Sequence, residues 1–219
     1  MPEITGVQLQ KHDPERVSIF LDGVFGFGAS RMLVAARNLK EGRRLTSEEI
    51  AELLRDDDIE RAFGAALNFL SYRQRSKHEL EVYFRRNGAE PEVVTAVLER
   101  LERMGMVDDR EFAKFWIRNR LASRPRGSRA LKAELRQKGL ESELIDDELS
   151  NIEDEEPLAY RAAQLKLRSL ATLDDRTFVT RLVGHLQRRG FPFPVAAKVA
   201  RALVSERSEG QDRDELLEE

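Results

Sequence analysis

RRNGAEPEVV, residues 85–94, returns in altered form as RQKGLESELI at 136–145 and QRRGFPFPVA at 187–196, each time with basic residues, a glycine and then an apolar pair. Gly88, Gly139 and Gly190 stand at equal intervals of 51 residues. Eight residues before each glycine lies Leu80, Leu131 or Leu182. Four before it lies Phe84, Leu135 or Leu186, and five after it Val93, Leu144 or Val195. Apolar residues four apart share a helix face. Each copy therefore reads as a helix with an apolar stripe, a glycine in the left-handed conformation that ends it, and a second amphipathic helix. A repeat of this length predicts stacked helical modules.

The copies extend outward from these glycines. Ile59, Phe63, Leu67 and Leu70 keep helical spacing in IERAFGAALNFLSYR, which opens the first copy. Helices are predicted over 59–73, 76–87 and 91–104, then 109–122, 127–138 and 141–151, then 156–170, 175–189 and 193–206. Ser76 with Glu79 reads as a capping box. Upstream, ITGVQLQ and RVSIFLDGVFGFG are strand signals, with Asp22-Gly23 as the tight turn of a hairpin. Gly23, Gly26 and Gly28 do not form a phosphate-cradling loop, because no Gly-Lys-Ser/Thr follows. ASRMLVAARNL reads as a short helix, GRRL as a turn, and Thr46 with Glu49 as a capping box that opens TSEEIAELL. The fold class is thus mainly α: three tandem three-helix repeats in an elongated arrangement, preceded by a small N-terminal β-hairpin plus helix unit. The expected divisions are 1–58, 59–107, 108–154, 155–207 and a frayed acidic tail, 208–219.

Composition narrows the function. The chain has 219 residues, 41% hydrophobic and 35% charged, enough to bury a real core. It has no cysteine, and only His12, His78 and His185 offer imidazole, which speaks against a metalloenzyme; no cofactor is expected. No apolar run reaches membrane-spanning length and MPEITGVQLQKHD lacks the apolar core of a signal peptide, so a cytoplasmic address is expected. The net charge of −3 hides segregation: residues 61–140 carry +8, 141–160 carry −9, 161–207 carry +7, and 208–219 carry −5. Such alternation suits an extended contact with nucleic acid or with a protein of mixed charge, although a solvated surface has the same composition.

Individual motifs yield little chemistry. Asp108 and Asp109, echoed in LDDRTF at 173–178, are better read as helix N-caps than as magnesium ligands. Phe112, Phe115 and Trp116 follow helical spacing and read as core before they read as base-stacking platforms. The basic clusters carry more, since they recur where the first helix of a copy turns into the second: Arg73, Arg75 and Lys77, then Arg118, Arg120, Arg124, Arg126 and Arg129, with a thinner version at Lys166, Arg168 and Arg176. Stacked copies would align them into a stripe for phosphates or acidic side chains.

The same residues resemble a known family. LSYRQRSKHELEVYFRRNG at 70–88 is similar to the first repeat of the RecX regulators of the bacterial recombinase RecA. LERMGMVDDREFAKFWIRNRL at 101–121 and RGSRALKAELRQKGL at 126–140 are similar to the family's best-marked stretch. The resemblance covers about residues 62–150 strongly and the third copy weakly, and the β lead-in resembles the longer members. Met106 stands where the family commonly has tyrosine or another bulky residue. The resemblance implies a non-catalytic negative regulator that lies in the groove of the RecA–DNA filament and inhibits strand exchange, ATP hydrolysis and coprotease function. The expected partner is the RecA nucleoprotein filament, with single- or double-stranded DNA as a second, no membrane, and a monomeric chain. The expected contact set is Arg73, Arg75, Lys77, Arg118, Arg120, Arg124, Arg126, Arg129, Lys132 and Arg136. The alternative is a stand-alone DNA-binding helical module, since basic three-helix units overlap in pattern with helix-turn-helix readers.

Overall fold

A computed structural model describes residues 1–217 except Glu153, with side chains as far as Ser208. The chain divides into a first unit, Met1–Val107, and a second that begins at Asp108.

The first unit starts with an antiparallel sheet in the order β1 (Ile4–Leu9), β2 (Arg16–Leu21), β3 (Val24–Ser30). Asp22 and Gly23 have φ of 49° and 84°, the left-handed pair that a primed two-residue turn requires. Ile4, Val17, Ile19, Phe27 and Ala29 alternate onto one face and bury against Leu33, Leu39, Leu45 and Leu53. Helix α1 (Arg31–Ala36) is capped by the Ser30 hydroxyl, which accepts from the Leu33 N–H at 3.1 Å. Helix α2 (Ser47–Ser71) opens with the expected reciprocal box: Glu49 N–H donates to the Thr46 hydroxyl and Thr46 N–H to the Glu49 carboxylate.

One expectation fails in this helix. The sequence reading separates a helix opening at Thr46 from another over 59–73, yet both belong to α2. The intervening RDDD contains no helix breaker, and Asp57 is consumed structurally. Its carboxylate, 5% exposed, accepts from both Arg16 Nη atoms, the shorter bond at 2.7 Å, and from Ser30 N–H at 2.9 Å. A buried carboxylate satisfied by three donors ties the sheet to the helix.

The repeats follow as α2, α3 (Lys77–Arg86) and α4 (Pro91–Arg103); α5 (Asp109–Ser123), α6 (Ser128–Gln137) and α7 (Ser142–Ser150); α8 (Glu155–Leu167, with a 3-10 turn over Arg168–Leu170), α9 (Asp175–Arg188) and α10 (Phe193–Leu217). Helix α10 outruns its expected end at 206; the acidic side chains expected to fray after Ser208 lie outside the described residues. Gly88, Gly139 and Gly190 have φ of 72°, 83° and 93°. The next N–H, of Ala89, Leu140 or Phe191, donates back to Phe84, Leu135 or Leu186, closing the same glycine-terminated helix end three times. Leu80, Leu131 and Leu182 are fully buried before these ends, as the stripe predicts. After them, Val93 is buried, but in the later copies Ile145 and Ala196 take the core position and Leu144 and Val195 are half-buried.

Candidate partner-binding surface

Asp108 accepts from Arg110 and Glu111 N–H groups and Asp174 from Thr177 N–H, so both aspartates cap helices as their positions suggest. Among the described residues no cluster of His, Asp and Glu could hold a metal ion, and no helix is long and apolar enough to cross a membrane.

In the first repeat the basic junction turns onto its own module. Arg73 forks onto Glu79 at 2.8 and 2.9 Å, and Lys77 reaches Glu102 at 2.8 Å. Arg75 lies 3.9 Å over the Phe69 ring, which stacks on Tyr83 at 4.4 Å. Burial, followed by the charge of Arg73, holds the Arg75 guanidinium below its ordinary value.

In the second repeat a single carboxylate organises the cluster. Glu134, 15% exposed, accepts from Trp116 Nε1 at 2.8 Å and Arg120 Nε at 2.7 Å on one oxygen, and pairs with Arg126 at 2.7 Å through the other. Arg120 lies 4.5 Å from the Trp116 ring centre and Lys138 4.9 Å, while Phe112 stacks on the same indole at 5.7 Å. Trp116 is therefore packed, its N–H satisfied, as the burial reading expects. Glu134 escaped the sequence reading, although it is the lone acid between Glu111 and Glu141 in a strongly basic stretch.

The remaining candidates fall into two groups. Lys132 pairs with Asp146, and Arg136 reaches the Ser142 hydroxyl at 3.5 Å. Arg118, Arg124 and Arg129 are exposed and their side chains have no partner among the described residues. Arg118 borders an open groove of about 610 Å³ between α5, α7 and α8, lined by Ile117, Leu121 and Ile152 together with Lys114, Glu148 and Arg161. Glu148 occupies the position that Val97 and Val199 hold in the other copies, and is buried there with Arg110 at 2.7 Å.

The second and third repeats meet through backbone. Gly127 N–H donates to Arg189 carbonyl and Arg189 Nη1 to Pro125 carbonyl, both at 3.0 Å. A Cβ on Gly127 would lie 2.4 Å from the Gly190 carbonyl oxygen. Gly127 offers α6 no side-chain cap, and Glu155 of α8 supplies one by accepting from Ser128 N–H at 2.7 Å.

Comparison with known proteins agrees with this geometry. Family models for the regulatory protein RecX N-terminal domain, the first RecX three-helix domain and the second match residues 2–46, 62–101 and 108–149. The chain is 31% identical over 218 residues to the regulatory protein RecX of Bacillus licheniformis, spanning 99% of this chain and 83% of that protein. It belongs to the RecX family of regulatory proteins. RecX of Bacillus subtilis (strain 168) is likewise 31% identical over the same shares. A crystal structure of regulatory protein RecX shares the fold with a TM-score of 0.73 at 24% identity, covering 91% of this chain and 98% of that one. RecX from Lactobacillus salivarius gives 0.61 at 21% identity, over 68% of this chain and 97% of its own. The two matched RecX three-helix domains contain Gly88 and Gly139, the first two glycine-ended copies.

Proposed function

We propose that this RecX-family regulator acts on the RecA nucleoprotein filament, lying in its groove and inhibiting strand exchange, ATP hydrolysis and coprotease function without catalysis or cofactor of its own. Family membership supports the regulatory role. The observation that carries the contact surface is the set of exposed guanidiniums in the second repeat, Arg118, Arg124 and Arg129, which have no side-chain partner among the described residues. Arginines that fold stability does not engage are available for carboxylates or phosphates of a partner. Arg73, Arg75, Lys77, Arg120, Arg126 and Lys132 already have partners within their own units and contribute chiefly to holding the repeats.

The test is steady-state ATP hydrolysis by RecA assembled on single-stranded DNA, titrated with this protein well below one molecule per recombinase subunit. Hydrolysis should fall, and an Arg118→Ala/Arg124→Ala/Arg129→Ala variant should require at least about tenfold more protein, because it removes charge-assisted bonds worth about 1.5–3 kcal/mol each when well formed. Unchanged hydrolysis at equimolar wild-type protein, with binding to the bare DNA at matched salt, would instead favour a stand-alone DNA-binding module.

A further inference from the structure

The third repeat departs from its two siblings around a pocket. Phe178 stands 51 residues beyond Gly127 and 102 beyond Ser76, the residues that cap α6 and α3, yet α9 is capped at Asp174, four residues earlier in that register. The added turn carries Phe178 into the core. At the other end, α10 runs past the positions where α4 and α7 stop, at Arg103 and Ser150, and so presents Arg207. Between these features and the 3-10 turn after α8 opens a pocket of about 390 Å³, walled by Leu167, Ala171, Phe178 and Leu203. Small-molecule sites are usually such clefts, about 300–1,000 Å³ in volume, with apolar walls and a few placed polar groups.

The polar groups here are Arg168, Arg207 and Glu206. Arg207 donates through Nη2 to the Ala171 and Leu173 carbonyls, at 3.1 Å each, with its guanidinium 4.6 Å from the Phe178 ring centre. These contacts fix the fork and leave Nη1 buried with no acceptor among the described residues. Buried donors are seldom left so, because the water they give up is not replaced. Arg207 lines the pocket, so an acceptor entering there reaches its guanidinium. Arg168 is exposed beside it and has no partner among the described residues. Glu206 already accepts from the Tyr160 hydroxyl at 2.6 Å. Two cations against one acid leave a single positive charge unmatched.

We propose that the third-repeat pocket binds a small monocarboxylate with an apolar tail, its carboxylate between Arg168 and Arg207 and its tail against Phe178 and Leu203. A monoanion matches the single unpaired charge, and a planar carboxylate matches a guanidinium fork. A phosphate dianion would bring more charge than the site holds and nothing for the apolar walls to cover. Because Arg207 is already held by two carbonyls and a ring, the site is ordered before the ligand arrives. Neither recombinase nor nucleic acid is needed for it.

The test titrates the full chain with 3-phenylpropionate and with its uncharged amide, by calorimetry and ligand-observed NMR, in the absence of recombinase and DNA. The acid should bind at least about tenfold more tightly than the amide, because only the acid makes charge-assisted bonds. Arg168→Gln, at an exposed site, should weaken the acid by about threefold or more and leave the amide unchanged. Arg207→Met should abolish the preference for the acid, with helicity checked by circular dichroism; if that variant does not fold, Arg168→Gln decides. Ala171→Leu, also at an exposed site, should weaken both ligands together by filling the pocket. Lys40→Gln in the first unit removes one positive charge as Arg168→Gln does, and should change neither affinity. Equal binding of acid and amide, acid binding unaltered in Arg168→Gln, or no binding of the acid at all overturns the proposal. Wild-type protein that inhibits RecA yet shows no preference for the acid would overturn the pocket and leave the regulator reading intact.

Discussion

Replacing Gly127 with alanine isolates the contact that joins the second and third repeats. Its φ of −73° suits any residue, so the substitution carries no backbone penalty, only a steric one. The added Cβ would lie 2.4, 2.5 and 2.6 Å from the Gly190 oxygen, Gly190 carbon and Phe191 nitrogen, all backbone atoms. Ordinary contacts need about 3.5 Å, so the repeats must part by roughly 1 Å. Overpacking of that kind costs about 1–3 kcal/mol. The two bonds across the seam, Gly127 to Arg189 and Arg189 to Pro125, are worth about 1 kcal/mol each. The expected loss is about 3–5 kcal/mol. With a urea m value of about 1–3 kcal/mol/M, the midpoint should fall by about 1 M or more. Trp116 is the sole tryptophan and stacks in α5, so its fluorescence follows unfolding of the second unit. Gly88→Ala is the companion: its φ is 72° but the space around it is open, so only the left-handed penalty of about 1 kcal/mol applies, read by circular dichroism. A Gly127→Ala protein within about 0.5 kcal/mol of wild type would refute the seam as a fixed backbone contact.

Glu134→Gln should destabilise the second repeat by about 1–3 kcal/mol and alter Trp116 emission, because two arginines lose their shared anion; unchanged melting and emission would count against Glu134 as organiser. Asp57→Ala should cost about 2–4 kcal/mol in thermal or urea unfolding, somewhat below a fully buried pair since Arg16 is 20% exposed. Asp174 is held below its ordinary value chiefly by the Thr177 N–H. A depressed carboxylate stabilises above its unfolded pKa and loses that contribution as pH falls through the folded one. The stability gap between wild type and Asp174→Ala should therefore be full at neutral pH and shrink below about pH 4, and a gap independent of pH would exclude the cap's charge as its source.

Removing Arg118, Arg120, Arg124 and Arg126 together would not be a pure surface change. Arg120 and Arg126 instead hold Glu134, and Arg120 covers Trp116, so that quadruple variant would test stability along with binding.

By itself the sequence determined the modular helices. The 51-residue recurrence, the apolar residues eight and four before each glycine and the Asp22-Gly23 turn are local features, and local backbone geometry follows from them. What tertiary structure alone decided was the use of charge. Arg120 and Arg124 are four residues apart in one basic stretch; the first meets Glu134 from the next helix, and the second meets no partner among the described residues. Arg189 lies 65 positions beyond Arg124, yet the Gly127–Gly190 contact brings their segments together. Apolar periodicity sets which face of a helix turns inward, but the partner of a long, flexible cation depends on which acid a neighbouring element carries to it, and that is a property of the packed chain.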